Sequence, residues 1–429
     1  MKKIIASLLA VMMMASAFAG CGSSNTTSSN ADGDKTSSST AADSSNFGDE
    51  DNITLKVWGP DASIELLKKQ CDAFIAQYPD KTIKIDVVAQ GESDAASQLQ
   101  NDATTAADVF GLPSDQLNKL VNAKVIQEVA FADEVKAANN EKVVNAATIN
   151  GKLYAYPETA DNGYYLVYDK SVVTDEQAQK FETVLEACKA ANKKFIMDGG
   201  NGFYSCMFVY TGGCQTNGLA EDGLTQQFTE YDEAEVVATM QAFSKLFHDY
   251  SGTFQSLATT NIPSGFAAGT CGAGIDGTWD SKANEEALGA NYGAAKIPSI
   301  NVNGTDKPVY SMFGYKYIGV NAASKFPRAA QMLANYLAGE ECQLQRAETL
   351  GWGPSNLKAA ESDVIKNNAT ISAVIAQSNN SVAQADLADQ FWDPMGNLGN
   401  QLIAEKTDPS DAEFMKTLLN ETIANIQDV

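Results

Sequence analysis

Four tryptophans stand in the sequence, and two of them sit where an indole could meet a ligand. Trp279 follows Asp276-Gly277-Thr278, and Trp392 lies within Gln390-Phe391-Trp392-Asp393. Both settings are polar and turn-like, so each ring can offer an apolar face beside a wet rim. Sugar rings carry apolar C–H faces that stack on aromatics, and hydroxyls that seek carboxylates and amides. An aromatic platform with Asp and Asn nearby therefore suits a neutral oligosaccharide. Residue by residue, a packing role stays open at both positions. Trp58 and Trp352 read as core or edge packing.

Signals for other chemistry are weak. Gly272-Ala273-Gly274-Ile275-Asp276-Gly277 matches G-x-G-x-x-G, yet it lies deep in the chain and runs into Thr278-Trp279-Asp280. A dinucleotide fingerprint should instead open the first strand–helix unit. The sequence contains no G-x-S-x-G, Walker A or H-E-x-x-H pattern. With 54 acidic residues, carboxylate pairs of the glycosidase kind carry no information. His248 is the only histidine and no C-x-x-C occurs, so no zinc site of the usual Cys/His kind is expected; no EF-hand pattern is seen in the body, and no metal ligand is assigned. No catalytic residue and no cofactor is assigned.

The N-terminus speaks of export. Lys2 and Lys3 precede an apolar run from Ile4 to Ala19, too short and wrongly flanked for a typical membrane span. Ala19-Gly20-Cys21 resembles the lipobox of bacterial lipoproteins, which implies lipidation at Cys21. Cleavage after Ala17-Phe18-Ala19 by an ordinary signal peptidase also fits. Residues 22–51 are nearly all Ser, Thr, Asn, Asp, Gly and Ala, a composition that cannot bury enough apolar surface to fold. A disordered tether between a lipid anchor and a folded body is the expectation.

Beyond Asn52 the body is long enough for two domains at ~150 residues each. Its charge is strongly acidic: 30 Lys and Arg against 54 Asp and Glu, or −24. That balance argues against nucleic acid and anionic lipid headgroups as partners. Six cysteines follow Cys21; an exported chain permits disulfides, though Cys71 and Cys188 sit at helix-like apolar positions and read as buried thiols.

The elements that must position the aromatics follow from periodicity. Thr54 to Trp58 reads as a strand and Ser63 to Tyr78 as an amphipathic helix stopped by Pro79. Ile83, Ile85 and Val87 form a second strand, so the chain opens with a βαβ unit and a parallel sheet. Helix is predicted over 94–106, 175–194, 233–249, 329–338 and 411–427. Short strands are predicted at 108–112, 153–157 and 164–168, the last two separated by polar residues 159–162. The fold class is α/β.

Taken together, these stretches resemble the extracellular solute-binding proteins of ABC importers, in their maltose/maltodextrin-binding branch. Asn150-Gly151-Lys152-Leu153-Tyr154-Ala155-Tyr156-Pro157 is similar to the family's NGKLYAYP segment, and residues 266–279 to its F-x-x-G…D/N-G-x-W block. Residues 313–321 and Gly351-Trp352-Gly353-Pro354-Ser355-Asn356 resemble its crossover and a later loop. The resemblance implies two α/β lobes with a hinge and a central cleft, divided as 52–160 plus 315–365 and 161–314 plus 366–429. It implies stacking by Trp279, Trp392 and either Phe203 or Tyr204. It also implies hydroxyl binding by Asp115, by Asp161 or Asn162, and by Asp61. Leu112 falls where the archetype has a first-lobe tryptophan, which leaves room for a longer chain or another sugar.

The expected function is capture of malto-oligosaccharide at the outer face of the cell membrane for delivery to ABC permease subunits. The expected form is a lipid-anchored monomer that performs no catalysis. A binding protein for another oligosaccharide or polyol is the alternative, and an extracellular carbohydrate-active enzyme a further one.

Overall fold

The opening βαβ unit forms as its periodicity requires. In chain order, the strands that build the two main sheets are β1 (Ile53–Gly59), β2 (Ile83–Ala89), β3 (Val109–Pro113), β4 (Tyr156–Asn162) and β5 (Tyr164–Asp169). They continue with β6 (Lys194–Met197), β7 (Phe254–Ser256), β8 (Cys271–Gly277), β9 (Tyr292–Ala295), β10 (Ser311–Val320) and β11 (Ser381–Ala383). The computed structural model describes residues 47–385 and 387–428, so Cys21 and residues 22–46 lie outside the described residues.

Ile53, Leu55 and Val57 of β1 are buried, and the strand pairs in parallel with β2 from Ile53↔Ile83 to Gly59↔Ala89. Helix α1 (Ile64–Ala76) joins them, turning Cys71 and Phe74 inward. The first sheet runs β11-β10-β3-β1-β2, with β4 also paired to β10. The second runs β7-β6-β8-β5-β9. The mixed pattern of parallel and antiparallel neighbours is α/β throughout.

Two large apolar cores follow the two sheets. One gathers residues between Phe47 and Tyr156 together with Tyr317 to Ala338. The other gathers residues between Tyr164 and Met312 together with Leu387 to Ile426. Two routes connect the sheets. Strand β4 passes through Gly163 directly into β5, and the ten-residue β10, which follows β9 of the second sheet in the chain, places Met312 in the second core and Tyr317 in the first.

Three expectations are adjusted. Residues 159–162 belong to β4, which pairs with β10 at Thr159↔Lys316 and Asn162↔Gly314, while Asn162 donates to Gln384 and Asp161 accepts from the Gly353 amide. The helix expected to reach Lys194 ends at Ala190, and Phe195-Ile196-Met197 is a buried strand. A short apolar run of that length cannot be told from helix by periodicity alone. The tether expected to reach Asp51 is folded from Phe47 onward: the Phe47 ring is fully buried edge-on against Tyr78, with centroids 4.8 Å apart. Glu50 accepts hydrogen bonds from the Arg328 and Ala329 amides and so caps the helix Pro327–Leu337. One aromatic in a polar tract is too little to register as composition, yet it closes a core.

All six cysteines after Cys21 are buried free thiols, Cys71 and Cys188 among them. The G-x-G-x-x-G run is no loop: it is β8, buried along its whole length in the middle of the second sheet. No helix among the described residues is long and apolar enough to cross a membrane.

Candidate ligand-binding site

A cleft of about 740 Å³ opens where the C-terminal ends of β1, β3 and β8 meet the two connecting strands. That size lies within the range of small-ligand sites.

One wall is aromatic and comes from the second core. Phe203 lies in the middle of it, with its ring centroid 6.0 Å from Trp279 and 6.4 Å from Trp392. Each of the three is half-buried, so each keeps ring surface open to the cleft. Close approach of backbone makes the cluster possible. A Cβ at Gly202 would stand 2.5 Å from the Trp392 carbonyl oxygen, and one at Gly277 would stand 2.1 Å from the Trp279 ring. Gly202 thus lets the short helix Gly202–Ser205 seat Phe203 beside Trp392, while Gly277 lets the Trp279 indole fold back over the end of β8. Tyr204, behind Phe203, is 3% exposed; it reaches the cleft lining, and its hydroxyl is buried without a partner.

The opposite wall is polar. Asp115 follows β3 in a single 3-10 turn. Its Oδ2 accepts from Gln116 Nε2 at 2.5 Å, and its Oδ1 from Gln384 Nε2 at 2.9 Å. Burial pushes the Asp115 carboxyl up to about 6, against the opposing pull of its Gln116 hydrogen bond and the nearby Lys119 ammonium. Asn162, at the end of β4, donates to Gln384 Oε1 at 2.6 Å. Lys119 reaches across the rim to Asp389, at 3.2 Å.

At the floor, Lys316 Nζ of β10 lies 2.8 Å from Glu92. It also faces the rings of Trp352, at 4.8 Å, and Trp279, at 5.6 Å. Burial works against the Lys316 ammonium, but the Glu92 carboxylate and further carboxylates around it hold it above its usual range. Beneath Trp279, Asp276 is held well above the usual carboxylate range, by burial first and the Asp280 charge second.

The structure brings Trp279, Trp392, Phe203, Tyr204, Asp115 and Asn162 to one cavity. It does not bring Asp161 or Asp61 there. Asp161 is 5% exposed and turned away, its Oδ2 accepting from the Gly353 amide at 2.5 Å and its main-chain oxygen from Thr278 Oγ1 at 2.9 Å. Along a strand, neighbouring side chains point to opposite faces, so Asn162 takes the cleft position. Asp61 is exposed, and its neighbours Pro60 and Ala62 line the cavity instead. Leu112 is fully buried in the first core. Residue-level reading misses Glu92, Lys316, Gln384 and the cleft position of Trp352, since nothing local marks a lone Glu, Lys or Gln as cleft-facing. A signal for Trp352 does exist in Gly351-Trp352-Gly353-Pro354, though by itself it reads as packing. No group of three or more His, Cys, Asp or Glu among the described residues is placed to hold a metal ion.

Two sheets that share crossing strands, with an aromatic wall set opposite a polar one, define a protein that holds a ligand in a cleft. Comparison with known proteins agrees. The profile of the bacterial extracellular solute-binding protein family matches residues 69–373, and the chain belongs to that family. A galactooligosaccharide-binding protein of Bacillus subtilis (strain 168) is 27% identical over 396 residues, covering 87% of this chain and 89% of its own. A solved structure described as being with acarbose superposes with a TM-score of 0.77 at 26% identity, over 87% of this chain and 98% of that one. The ligand-free maltodextrin binding protein MalE1 from L. casei BL23 gives a TM-score of 0.71 at 23% identity, over 88% and 99%. The fold is therefore the two-lobed one of solute-binding proteins.

Proposed function

We propose that this chain is the substrate-binding component of an ABC importer, that it captures a malto-oligosaccharide in the cleft, and that it delivers it to permease subunits in the membrane. The observation that carries the reading is the row Trp279, Phe203 and Trp392, set opposite Asp115 and Asn162. Half-buried rings match the C–H faces of successive sugar units, and the polar wall matches their hydroxyls. The relatives are consistent with it, since one is a maltodextrin binding protein and another structure is with acarbose. The relatives are binding proteins, and we assign the cleft no catalysis.

In this reading the lobes are 47–160 plus 315–365 and 161–314 plus 366–428, hinged at Gly163 and along β10, and they close around the sugar. Trp279, Trp392, Phe203, Tyr204, Asp115 and Asn162 contact it, while Asp161 ties the crossing strand to the Gly353 loop. Lipidation at Cys21 would hold a monomer at the outer face of the membrane, with the segment 22–46 as spacer.

A second reading, capture of a galactooligosaccharide, draws on the name of the Bacillus subtilis relative and on Leu112, which offers no first-lobe platform. Titration of tryptophan fluorescence with maltotriose, maltotetraose and β-1,4-galacto-oligosaccharides separates the two. A saturable change with maltodextrins alone supports the first reading. A change with galacto-oligosaccharides alone replaces the cargo, and release of shortened products would overturn the binding role.

A further inference from the structure

Gln384 joins the two polar ligand candidates of the cleft. It follows directly on β11, is 5% exposed, and has both ends of its amide engaged: Nε2 donates to Asp115 Oδ1 at 2.9 Å, and Oε1 accepts from Asn162 Nδ2 at 2.6 Å. An ionised carboxylate can only accept, so Asp115 dictates which end of the Gln384 amide faces it. That choice orients Asn162: one of its two amide hydrogens is committed to Gln384, which turns its Oδ1 to the other side as an acceptor. Gln116 obeys the same rule from the other side. Its Nε2 donates to Asp115 Oδ2, and its Oε1, on a residue 6% exposed at the cleft lining, is buried without a partner.

We propose that Gln384 is a positioning residue for ligand specificity: it fixes the amide orientation of this wall, so that Asp115 and the Asn162 Oδ1 are held as acceptors for hydroxyl donors of the bound sugar. The inference rests on the oligosaccharide reading above. A buried acceptor left unpaired is costly, so a ring lacking a hydroxyl at this wall is rejected more strongly than its lost contact alone would suggest. Gln384 also lines the cleft; the role proposed here is exercised through Asp115 and Asn162.

The test compares the wild type with Gln384→Glu, Gln384→Met and the double variant Asp115→Asn/Gln384→Glu. All are titrated by calorimetry with maltotetraose and with β-1,4-galactotetraose. Gln384→Glu sets two carboxylates against each other and should weaken binding about thirtyfold; Gln384→Met removes both bonds and should weaken it about tenfold. The double variant restores the bond in reverse, with an amide at position 115 donating to a carboxylate at position 384, and should recover about tenfold over Gln384→Glu. Mere structural support predicts the opposite, since removing the Asp115 carboxylate as well would deepen the loss. Thermal unfolding checks that each variant folds; if Gln384→Glu does not, recovery of folding and binding in the double variant carries the same weight. Wild-type affinity in Gln384→Met, or a double variant no better than Gln384→Glu, overturns the proposal. A wild type that binds neither sugar overturns the oligosaccharide reading and this inference with it, and that outcome is told apart by the wild-type titration alone.

Discussion

Lys316 and Glu92 form an ion pair of 2.8 Å in the floor of the cleft, with side chains 8% and 10% exposed. One comes from the strand that joins the two sheets, the other from the start of the helix Glu92–Asn101 after β2. Two indoles flank the ammonium, Trp352 at 4.8 Å and Trp279 at 5.6 Å. The pair thus ties a first-sheet element to a second-sheet tryptophan at the place where a ligand would rest. Removing one member leaves a buried charge alone, which costs about 3–5 kcal/mol. We predict that Lys316→Met lowers unfolding stability in urea by about that amount. Adding Glu92→Leu should restore part of the loss, because the nearest uncompensated charge is gone while Asp161 and Glu158 still face the site. Equal instability of the single and double variants would contradict this account.

Stacking should dominate affinity. Trp279→Ala and Trp392→Ala are each predicted to weaken oligosaccharide binding by about 2 kcal/mol or more, roughly thirtyfold. Each ring is half-buried, so unfolding midpoints should move far less than affinities do. Retained wild-type affinity in both variants, measured by calorimetry, would remove the aromatic wall from the binding site.

Buried carboxyls give the pH dependence its sign. Asp115 and Asp161 are each pushed up to about 6 and Glu158 up to about 7, in every case chiefly by burial. Unfolded carboxyls titrate near ~4. The folded state therefore holds these protons more tightly than the unfolded state does. Their contribution to stability is complete below pH ~4 and is lost as pH rises through about 6 to 7. Denaturant midpoints should accordingly rise on acidification from pH 7.5 to 5.5, and Asp161→Asn should flatten part of that rise. Ligand affinity should move the other way, falling below pH 6 as Asp115 gains a proton and loses acceptor capacity. A denaturant midpoint that falls over the same interval would refute the assignment.

The N-terminal boundary is also testable. Phe47 is fully buried against Tyr78, and Lys81 lies over its ring at 5.8 Å. A body beginning at Asn52 lacks this side chain and the Glu50 cap. It should be less stable than one beginning at Asn46 by about 3 kcal/mol or more. Calorimetric melts of the two bodies give the comparison directly; coincident transitions would show that the segment contributes nothing.

Much of this molecule is legible in order of sequence. Ile53, Leu55 and Val57 alternate, Cys71 and Phe74 recur at helical spacing, and Pro79 stops the helix, so β1, α1 and β2 follow from local physics. Helix 233–249 can be read to its ends, because Asp232 caps it and its apolar stripe is regular. Trp279 and Trp392 announce themselves by large rings in polar turns. The sequence by itself therefore determined the α/β class, the order of elements and the aromatic half of the cleft.

Tertiary structure decided the polar half. Whether Asp161 or Asn162 faces the ligand turns on the alternation of a strand whose register is set by β10, more than 150 positions later. Gln384 meets Asp115 across 269 positions, and Lys316 meets Glu92 only because β10 crosses beside β3. A single Glu, Lys or Gln has no period and no local partner to betray it. Such residues acquire a role only when distant strands bring them within hydrogen-bonding distance, and that is a property of the packed sheets.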